Sequence, residues 1–229
     1  MEIGGCLPYC NIKPFNVGKW YAIDPRNKNE KVSDNYITQQ GYSQLIPQAD
    51  CSFDFIFSCN AFQHIHNFQM ALDEMYRVLK PKGVLYSNFG PIWSAPDGSH
   101  IENVVYNEKI YNFWEEHIIP DWYHLIYNCS ELYGILLTKL EEGLAKTLAE
   151  YVYMSSWLNR MTYFDFENAI KTSNFSKILF FNGTKEFGYD QKSIDYVNNL
   201  AFRENDWRKD KKDLMKYYEI RDLKICLVK

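Results

Sequence analysis

The alternation of apolar and polar positions between residues 52 and 88 predicts a strand, a helix and a second strand. Phe53–Phe57 is a short apolar run that ends in small polar residues. From Phe68 onward, apolar side chains recur at helical spacing while charged residues fall on the opposite face. The Lys80–Gly83 segment, which contains a proline and a glycine, then ends the helix and returns the chain into Val84–Tyr86. This order is typical of one half of a parallel α/β sheet.

The N-terminal region supplies further strands of the same kind. Met1–Gly5 is predicted to be the end of a first strand that enters a glycine turn, and Trp20–Asp24 is predicted to be a second strand. The more polar stretch that follows is expected to form a short helix near Lys28–Ser33 and a brief strand around Tyr36–Thr38.

The C-terminal half is expected to be largely helical before it returns to strands. Residues 104–153 are predicted to be mostly helical, Phe164–Ser173 is predicted to be another helix, and Ser193–Tyr218 a charged helical stretch. Lys177–Phe181 and Ile220–Val228 are expected to pair as the last two strands. One apolar stripe in the first of these segments is formed by Leu136, Leu140, Leu144 and Leu148.

Composition narrows the class of protein. The chain has 229 residues and a net charge of −4, which suits one domain with a full sheet core and disfavours a nucleic-acid partner. Its six cysteines include no Cys-x-x-Cys pair, so we expect unpaired thiols in a reducing cytoplasm. Cys6 and Cys10 lack further ligands at zinc spacing, so no metal is expected. No apolar run is long enough to span a bilayer, so no membrane partner is expected either.

Polar residues follow the predicted strands at the ends where an α/β sheet binds ligands. Gly4 allows the backbone to approach a ligand closely, and Ser58–Asn60 follows the buried strand. Asp24 ends the second strand about 20 residues after the glycine turn, a spacing at which a carboxylate can bind a ribose diol. The alternative is that Asp24 is only a turn residue before Pro25.

Two sequence motifs resemble the class I S-adenosylmethionine-dependent methyltransferases. The Ser52–Asp54 strand start matches this family, and Arg77–Gly83 reads Arg-Val-Leu-Lys-Pro-Lys-Gly, one position away from its Arg-Val-Leu-Lys-Pro-Gly-Gly. The N-terminal match is weaker, because Cys6 and Pro8 replace the second and third glycines of the family's acidic-x-Gly-x-Gly-x-Gly turn. The resemblance implies an α/β, Rossmann-like, mostly parallel sheet of the seven-stranded type, flanked by helices, with its last strand antiparallel. The first strand is expected to be shortened at Met1.

The resemblance also implies a cofactor and its binding residues. The cofactor would be S-adenosyl-L-methionine. Tyr42 stands where the family usually has an acid that contacts the adenine amino group, so neighbouring residues would have to supply that contact. The residues implied to bind the cofactor are Glu2, Gly4, Gly5, Asp24, Pro25, Ser43, Gln44, Ser58, Cys59 and Asn60.

The acceptor site is expected to involve an insertion in a single domain of residues 1–229. Family insertions after the fifth strand cover the substrate, so residues 104–160 are interpreted as a helical cap; a structural or oligomer-forming pair of helices is the alternative. His100 and His124 fall on the loop and the cap and are the candidate catalytic bases, whereas His64 at the strand-to-helix elbow is more often structural. The acceptor would be a small molecule, with a hydroxyl of a sugar or other metabolite ahead of an amine. The sequence leaves open whether the chain forms a homo-oligomer.

Two other functions are weighed against methyl transfer. A nicotinamide-dependent oxidoreductase shares the glycine turn and the distant acid, but Pro8 and Tyr9 would obstruct a pyrophosphate at the helix start. A degenerate homologue that binds the cofactor weakly, or that serves only as a structural subunit, is favoured by Tyr42 and by the short first strand.

Overall fold

The structure is a computed structural model that describes residues 1–185, 195 and 215–229. The described strands are β1 Glu2–Ile3, β2 Trp20–Asp24, β3 Glu30–Ser33, β4 Tyr36–Gln40, β5 Phe53–Cys59, β6 Leu79–Phe89, β7 Val104–Tyr106, β8 Lys109–Tyr111, β9 Lys177–Lys185 and β10 Ile220–Val228. The described helices are α1 Tyr9–Ile12, α2 Phe68–Val78, α3 Tyr123–Ile126, α4 Cys129–Leu136, α5 Glu142–Met154, α6 Tyr163–Lys171 and α7 Met215–Tyr218, with 3₁₀ turns at Lys13–Phe15 and Phe62–His64.

Eight of these strands form one sheet in the order β3-β4-β2-β1-β5-β6-β10-β9. The five strands from β4 to β6 run parallel, and β10 pairs antiparallel to β6 over six residue pairs from Leu223↔Phe89 to Val228↔Val84. The predicted fold class, a mostly parallel sheet with antiparallel last strands, is therefore confirmed. Most of Ser193–Tyr218 lies outside the described residues, and only its end is described as α7.

The helix predicted near Lys28–Ser33 is wrong, because Glu30–Ser33 is the edge strand β3. It pairs antiparallel to β4, and this extra strand makes the sheet eight-stranded. Thr38 Oγ1 donates to the Lys28 carbonyl at 2.8 Å, and the Gln40 amide donates to Asn29 Oδ1 at 2.8 Å. In the β3–β4 hairpin, the Lys28 carbonyl and the Gln40 amide are both hydrogen-bonded. A helix of only four to six residues would be too short to offset the free-energy cost of helix nucleation.

The protein consists of two compact units. The first comprises Met1–Gly90, Phe164–Gly183 and Leu223–Lys229, and the second comprises Pro91–Tyr163 and Thr184–Asp222. In the first unit, an aromatic cluster with ring-centroid distances of 4.9–5.2 Å packs α2 and α6 against β6; its members are Phe62, Phe68, Phe89 and Phe166.

The second unit contains the whole of the predicted cap segment, but two details differ from the prediction. Within the segment predicted to be mostly helical, residues 104–111 form the hairpin β7–β8, and His117 lies in a loop. Leu136 ends α4, Leu144 and Leu148 lie in α5, and Leu140 lies in the break between the two helices at residues 137–141. They still contribute to one core, because Leu136, Leu144 and Leu148 are buried there and Leu140 packs against it. That these helices cover an acceptor site stays a prediction.

Two further properties bear on the class of protein. All six cysteines are unpaired. Among the helices that the structure describes, none combines the length and apolar character needed to cross a bilayer.

Arg77 holds the loop before β5 against α2. Its guanidinium donates to Glu74 at 2.7 and 2.9 Å, to Asp50 Oδ1 at 2.7 Å, and to the carbonyls of Ile46 and Gln48 at 2.8 Å. Glu74 in turn accepts the Ile46 amide at 2.8 Å. The Arg77 hydrogen bonds lower the pKa of Glu74. Arg77, the first residue of the family-like Arg77–Gly83 motif, therefore has a structural role that spacing alone did not reveal.

Glu74→Gln should lower the free energy of unfolding at pH 7 by about 1–2 kcal/mol, because the charged hydrogen bonds are partly solvated. The Glu74 pKa is lower in the folded state than in the unfolded state. The carboxylate therefore stabilises the fold fully above its ordinary pKa of about 4.3 and loses this effect as the pH falls through the lowered folded value. Urea denaturation of both proteins should thus show a difference at pH 7 that shrinks in the acid range. Asp34→Asn, at an exposed ion pair with Lys31, is the control and should leave the midpoint unchanged. A wild-type-to-variant difference independent of pH would contradict this prediction.

Candidate functional site

The carboxyl ends of three neighbouring parallel strands meet at one edge of the sheet. β1 lies between β2 and β5, with Ile3 in register with Ile23 on one side and with Ser58 on the other. The residues that follow these positions, Gly4, Asp24 and Asn60, are therefore brought to the same edge, as the sequence predicted. In open α/β sheets this edge is the usual place for a ligand.

Gly4 is required where the first turn meets the strand-to-helix elbow. Its φ is +74°, in the left-handed region, and its amide donates to the Ile23 carbonyl at 2.8 Å. A Cβ at this position would lie 2.2 Å from the Cβ of Ala61. Both the backbone conformation and the close approach of Ala61 thus exclude a side chain. The importance of Ala61 could not be read from the sequence, since it lies 57 residues away.

Glu2 organises the loop that follows β1. The carboxylate is buried, accepts the Leu7 amide at 3.1 Å on both oxygens, and accepts Trp20 Nε1 at 2.9 Å. Burial raises the pKa of Glu2. Gly5 must also be small, because a Cβ there would lie 2.8 Å from Glu2 Oε1. In this structure the acid therefore binds the loop backbone.

Asp24 ends β2 with its carboxylate almost fully buried. It accepts three hydrogen bonds from Arg26: from the backbone amide at 2.7 Å, from Nε at 3.0 Å and from Nη2 at 3.2 Å. The Arg26 side chain is 70% exposed, so water can replace its two contacts at little cost. Pro25 follows directly, and its carbonyl accepts Gln40 Nε2 at 3.1 Å.

Asn27 is a site residue that the sequence interpretation missed. Its side-chain amide donates to the carbonyls of Gly5 and Ala22, both at 3.2 Å, and so joins the turn after β1 to β2. The sequence feature that could have indicated this role is an asparagine in a turn, three residues after Asp24. Asparagine side chains in turns commonly hydrogen-bond to nearby backbone groups.

The elbow after β5 contains one structural residue and two more open ones. Ser58 is fully buried and its Oγ donates to the Ile3 carbonyl at 2.9 Å, which ties β5 to β1. Cys59 is exposed. Asn60 has a left-handed φ of 49°, and its amide donates to the Asn88 carbonyl at 2.9 Å. Of the three, Ser58 is therefore committed to the fold.

The loop after β4 carries the residues assigned to the adenine. Ser43 is buried and its Oγ donates to Gln44 Oε1 at 3.3 Å, while Gln44 Nε2 donates to the His66 carbonyl. Tyr42 is 64% exposed. A ligand role of Ser43 and Gln44 stays a prediction.

The two candidate bases lie in the second unit, and both are buried. His124 is 2% exposed, and its Nε2 lies 2.7 Å from the Trp93 carbonyl. Burial lowers the pKa of His124 to about 4, so the ring is neutral at pH 7 and Nε2 donates to that carbonyl. His100 is 3% exposed, and its Nε2 lies 3.3 Å from Glu102 Oε2. Their role as bases stays a prediction.

A cleft of about 560 Å³ lies at the opposite end of the parallel strands in the first unit. Its lining includes Trp20 and Phe53, the first residues of β2 and β5. Because ligands of open α/β sheets bind at the carboxyl ends, this cleft is not assigned to the cofactor.

Comparison with known proteins shows what part of the chain is similar to. Residues 5–87 match the family described as a methyltransferase domain. The chain is 32% identical over 100 residues to the uncharacterized protein YafE of Escherichia coli (strain K12), covering 38% of this chain and 48% of that protein. It is 25% identical over 146 residues to the ubiquinone/menaquinone biosynthesis C-methyltransferase UbiE of Pasteurella multocida, covering 63% of this chain and 50% of that protein. The chain spans about half the length of these curated relatives.

A solved structure shares the fold. The S-adenosylmethionine-dependent methyltransferase from Mesorhizobium loti aligns with a TM-score of 0.52 at 13% identity, covering 100% of this chain and 89% of that chain. At this level of identity the likeness establishes the architecture alone.

Gly4→Ala should lower the free energy of unfolding by about 2–5 kcal/mol, since a left-handed alanine and an overpacked contact each cost about 1–3 kcal/mol. Gly18→Ala is the matched control, because a Cβ at Gly18 meets no atom within 4 Å. It should change stability by no more than about 1 kcal/mol. Urea denaturation of the two variants measures the difference, and equal midpoints would contradict the role assigned to Gly4.

Proposed function

We propose that this chain, whose residues 5–87 carry a methyltransferase domain on a class I fold, transfers a methyl group from S-adenosyl-L-methionine to a small-molecule acceptor. The observation that supports this most is the meeting of the Gly4 turn, the Asp24 carboxylate and the Ser58–Asn60 elbow at the ends of three adjacent parallel strands. Unpaired cysteines suit a reducing compartment such as the cytoplasm.

The residues at this edge fit a nucleoside cofactor. The Gly4 turn leaves no side chain between backbone and ligand, and the Asp24 carboxylate can accept both hydroxyls of a ribose diol. The Arg26 side chain hydrogen-bonds to that carboxylate, but it is exposed and can be displaced by a ligand. The backbone amide of Arg26 would keep its own hydrogen bond to Asp24 and so preserve the local backbone turn. Ser43 and Gln44 would provide polar contacts to the adenine.

Methyl transfer requires mainly alignment from the protein. When bound, S-adenosyl-L-methionine supplies a methyl group already activated on its sulfonium. The chain's residues have to hold the acceptor atom in line with that group and exclude water, and such positioning can contribute up to about 7–11 kcal/mol. Within the first unit, the short hydrogen bonds of Gly4 and Ser58 to their neighbouring strands provide a rigid base for it.

We favour a hydroxyl of a sugar or another metabolite as the acceptor, with His100 or His124 receiving its proton. If this is correct, replacing the true base by glutamine should lower turnover about 10²–10⁴-fold while cofactor affinity stays unchanged. Steady-state kinetics measure the turnover of the two single variants and of the double variant, with any alcohol that the wild type methylates as the substrate. Near-normal turnover of that alcohol in the double variant would exclude a histidine base.

Asp24→Asn should weaken the binding of S-adenosyl-L-methionine by about 1–3 kcal/mol, because the charged acceptor for the ribose hydroxyls is lost. This corresponds to roughly a 5- to 150-fold rise in Kd. Asparagine retains a side-chain oxygen for the Arg26 amide, so the turn should persist. Isothermal titration calorimetry measures the change, and Asp34→Asn, an exposed residue in the turn between β3 and β4, is the control.

The same titration separates the competing functions. Binding of S-adenosyl-L-methionine but not NADH, with loss in Asp24→Asn alone, supports the proposal. Binding of NADH instead would indicate the oxidoreductase. No binding of either ligand by the folded protein would favour the structural homologue.

A further inference from the structure

The second unit contains a cleft of its own, with a volume of about 310 Å³. This is at the lower end of the range for small-molecule sites. Its wall combines one carboxylate with two aromatic rings and several neutral polar groups. The lining residues are Glu102, Asn103, Tyr151, Ser155, Ser156 and Trp157.

The carboxylate of Glu102 is held in a fixed position in this cleft. Trp157 Nε1 donates to Glu102 Oε2 at 2.8 Å, and His100 Nε2 lies 3.3 Å from the same oxygen. The Glu102 side chain is 23% exposed, so it is largely enclosed but still reaches solvent. A carboxylate oriented by two nitrogens can accept hydrogen bonds from a ligand with little loss of conformational freedom.

The aromatic residues give the cleft apolar faces. Tyr151 is half-buried, and its hydroxyl donates to the Glu102 carbonyl at 3.1 Å. Burial raises the pKa of Tyr151 to about 12, so the phenol remains neutral at pH 7. Trp157 stands beside the carboxylate that its indole nitrogen contacts. Ring faces of this kind pack against the C–H groups of a ligand.

The charges near the cleft favour an uncharged ligand. Arg160 donates to the carbonyl of Ser155, a lining residue, at 2.7 Å and stacks over the Trp93 ring at 5.5 Å. A positive charge therefore lies beside a lining residue, so the surroundings of the cleft are not purely anionic. The amide of Asn103 and the hydroxyls of Ser155 and Ser156 both donate and accept hydrogen bonds. An alcohol does the same, whereas an ammonium group only donates.

We propose that this cleft binds a neutral polyol of monosaccharide size, with the Glu102 carboxylate accepting hydrogen bonds from neighbouring hydroxyls and the rings of Tyr151 and Trp157 packing against its C–H face. The proposal that the bound polyol is the methyl acceptor rests on the proposed function. The binding site itself does not.

The test uses the full chain and three uncharged probes: the methyl glycosides of glucose, galactose and mannose. Saturation-transfer NMR should show binding of at least one glycoside by the wild type. Glu102→Gln keeps the side-chain shape and should raise the Kd at least about tenfold, as expected for loss of a charged hydrogen bond. Val105→Ala, at a 64% exposed hairpin position, is the matched control and should bind like the wild type. Thermal midpoints check that both variants are folded.

Three outcomes would overturn the proposal: no binding of any glycoside, tighter binding of choline or acetate than of the glycosides, or unchanged glycoside affinity in Glu102→Gln. A parallel titration with S-adenosylhomocysteine separates this proposal from the proposed function. Glycoside binding without S-adenosylhomocysteine binding would retain the polyol site and reject methyl transfer. The reverse result would retain the cofactor site and reject the polyol site.

Discussion

The pairing of the two-residue strand β1 between β2 and β5 is the constraint on which the candidate site depends. Four hydrogen bonds of 2.8–2.9 Å fix it: Met1 N to the Phe55 carbonyl, the Phe57 amide to the Met1 carbonyl, the Gly4 amide to the Ile23 carbonyl, and Ser58 Oγ to the Ile3 carbonyl. Because β1 is central, a shift in its register would displace the Gly4 turn from both neighbouring strand ends at once. The small number of paired residues explains why a serine side chain contributes to the attachment.

The loop after β1 is held by side chains where family members use glycines. The buried Glu2 carboxylate binds the loop backbone and Trp20, and Asn27 reaches across from the next turn. Cys6, at the second glycine position, places its sulfur 3.2 Å from the Tyr36 hydroxyl. A buried carboxylate is costly unless it is hydrogen-bonded, so the two donors to Glu2 offset its burial and at the same time order the loop. Side-chain hydrogen bonds within the turn thus make up for the missing second and third glycines.

Sequence periodicity was sufficient for the elements whose apolar positions face one core. β2, α2 and β10 follow the predicted segments closely: α2 buries residues at helical spacing, and β2 and β10 each contain a run of three buried residues. Prediction failed where turn chemistry decided the structure, as in the β3–β4 hairpin and the hairpin at residues 104–111. It also missed Asn27 and Ala61, because their importance comes from contacts between turns that are distant along the chain. The positions of the strand ends could be predicted, but the hydrogen bonds made by the residues at those ends could not.

The burial of His100 and His124 limits how either of them could accept a proton. His124 is neutral, but its Nε2 hydrogen is donated to the Trp93 carbonyl and its Nδ1 is buried without a partner in the part of the chain that the structure describes. A general base must come within hydrogen-bond distance of the acceptor's proton, so His124 can act only after the second unit rearranges. Glu102 already reaches solvent, with His100 3.3 Å from its Oε2. Of the two proposed bases, His100 therefore contacts a side chain that reaches solvent, whereas Nε2 of His124 is committed to a backbone carbonyl.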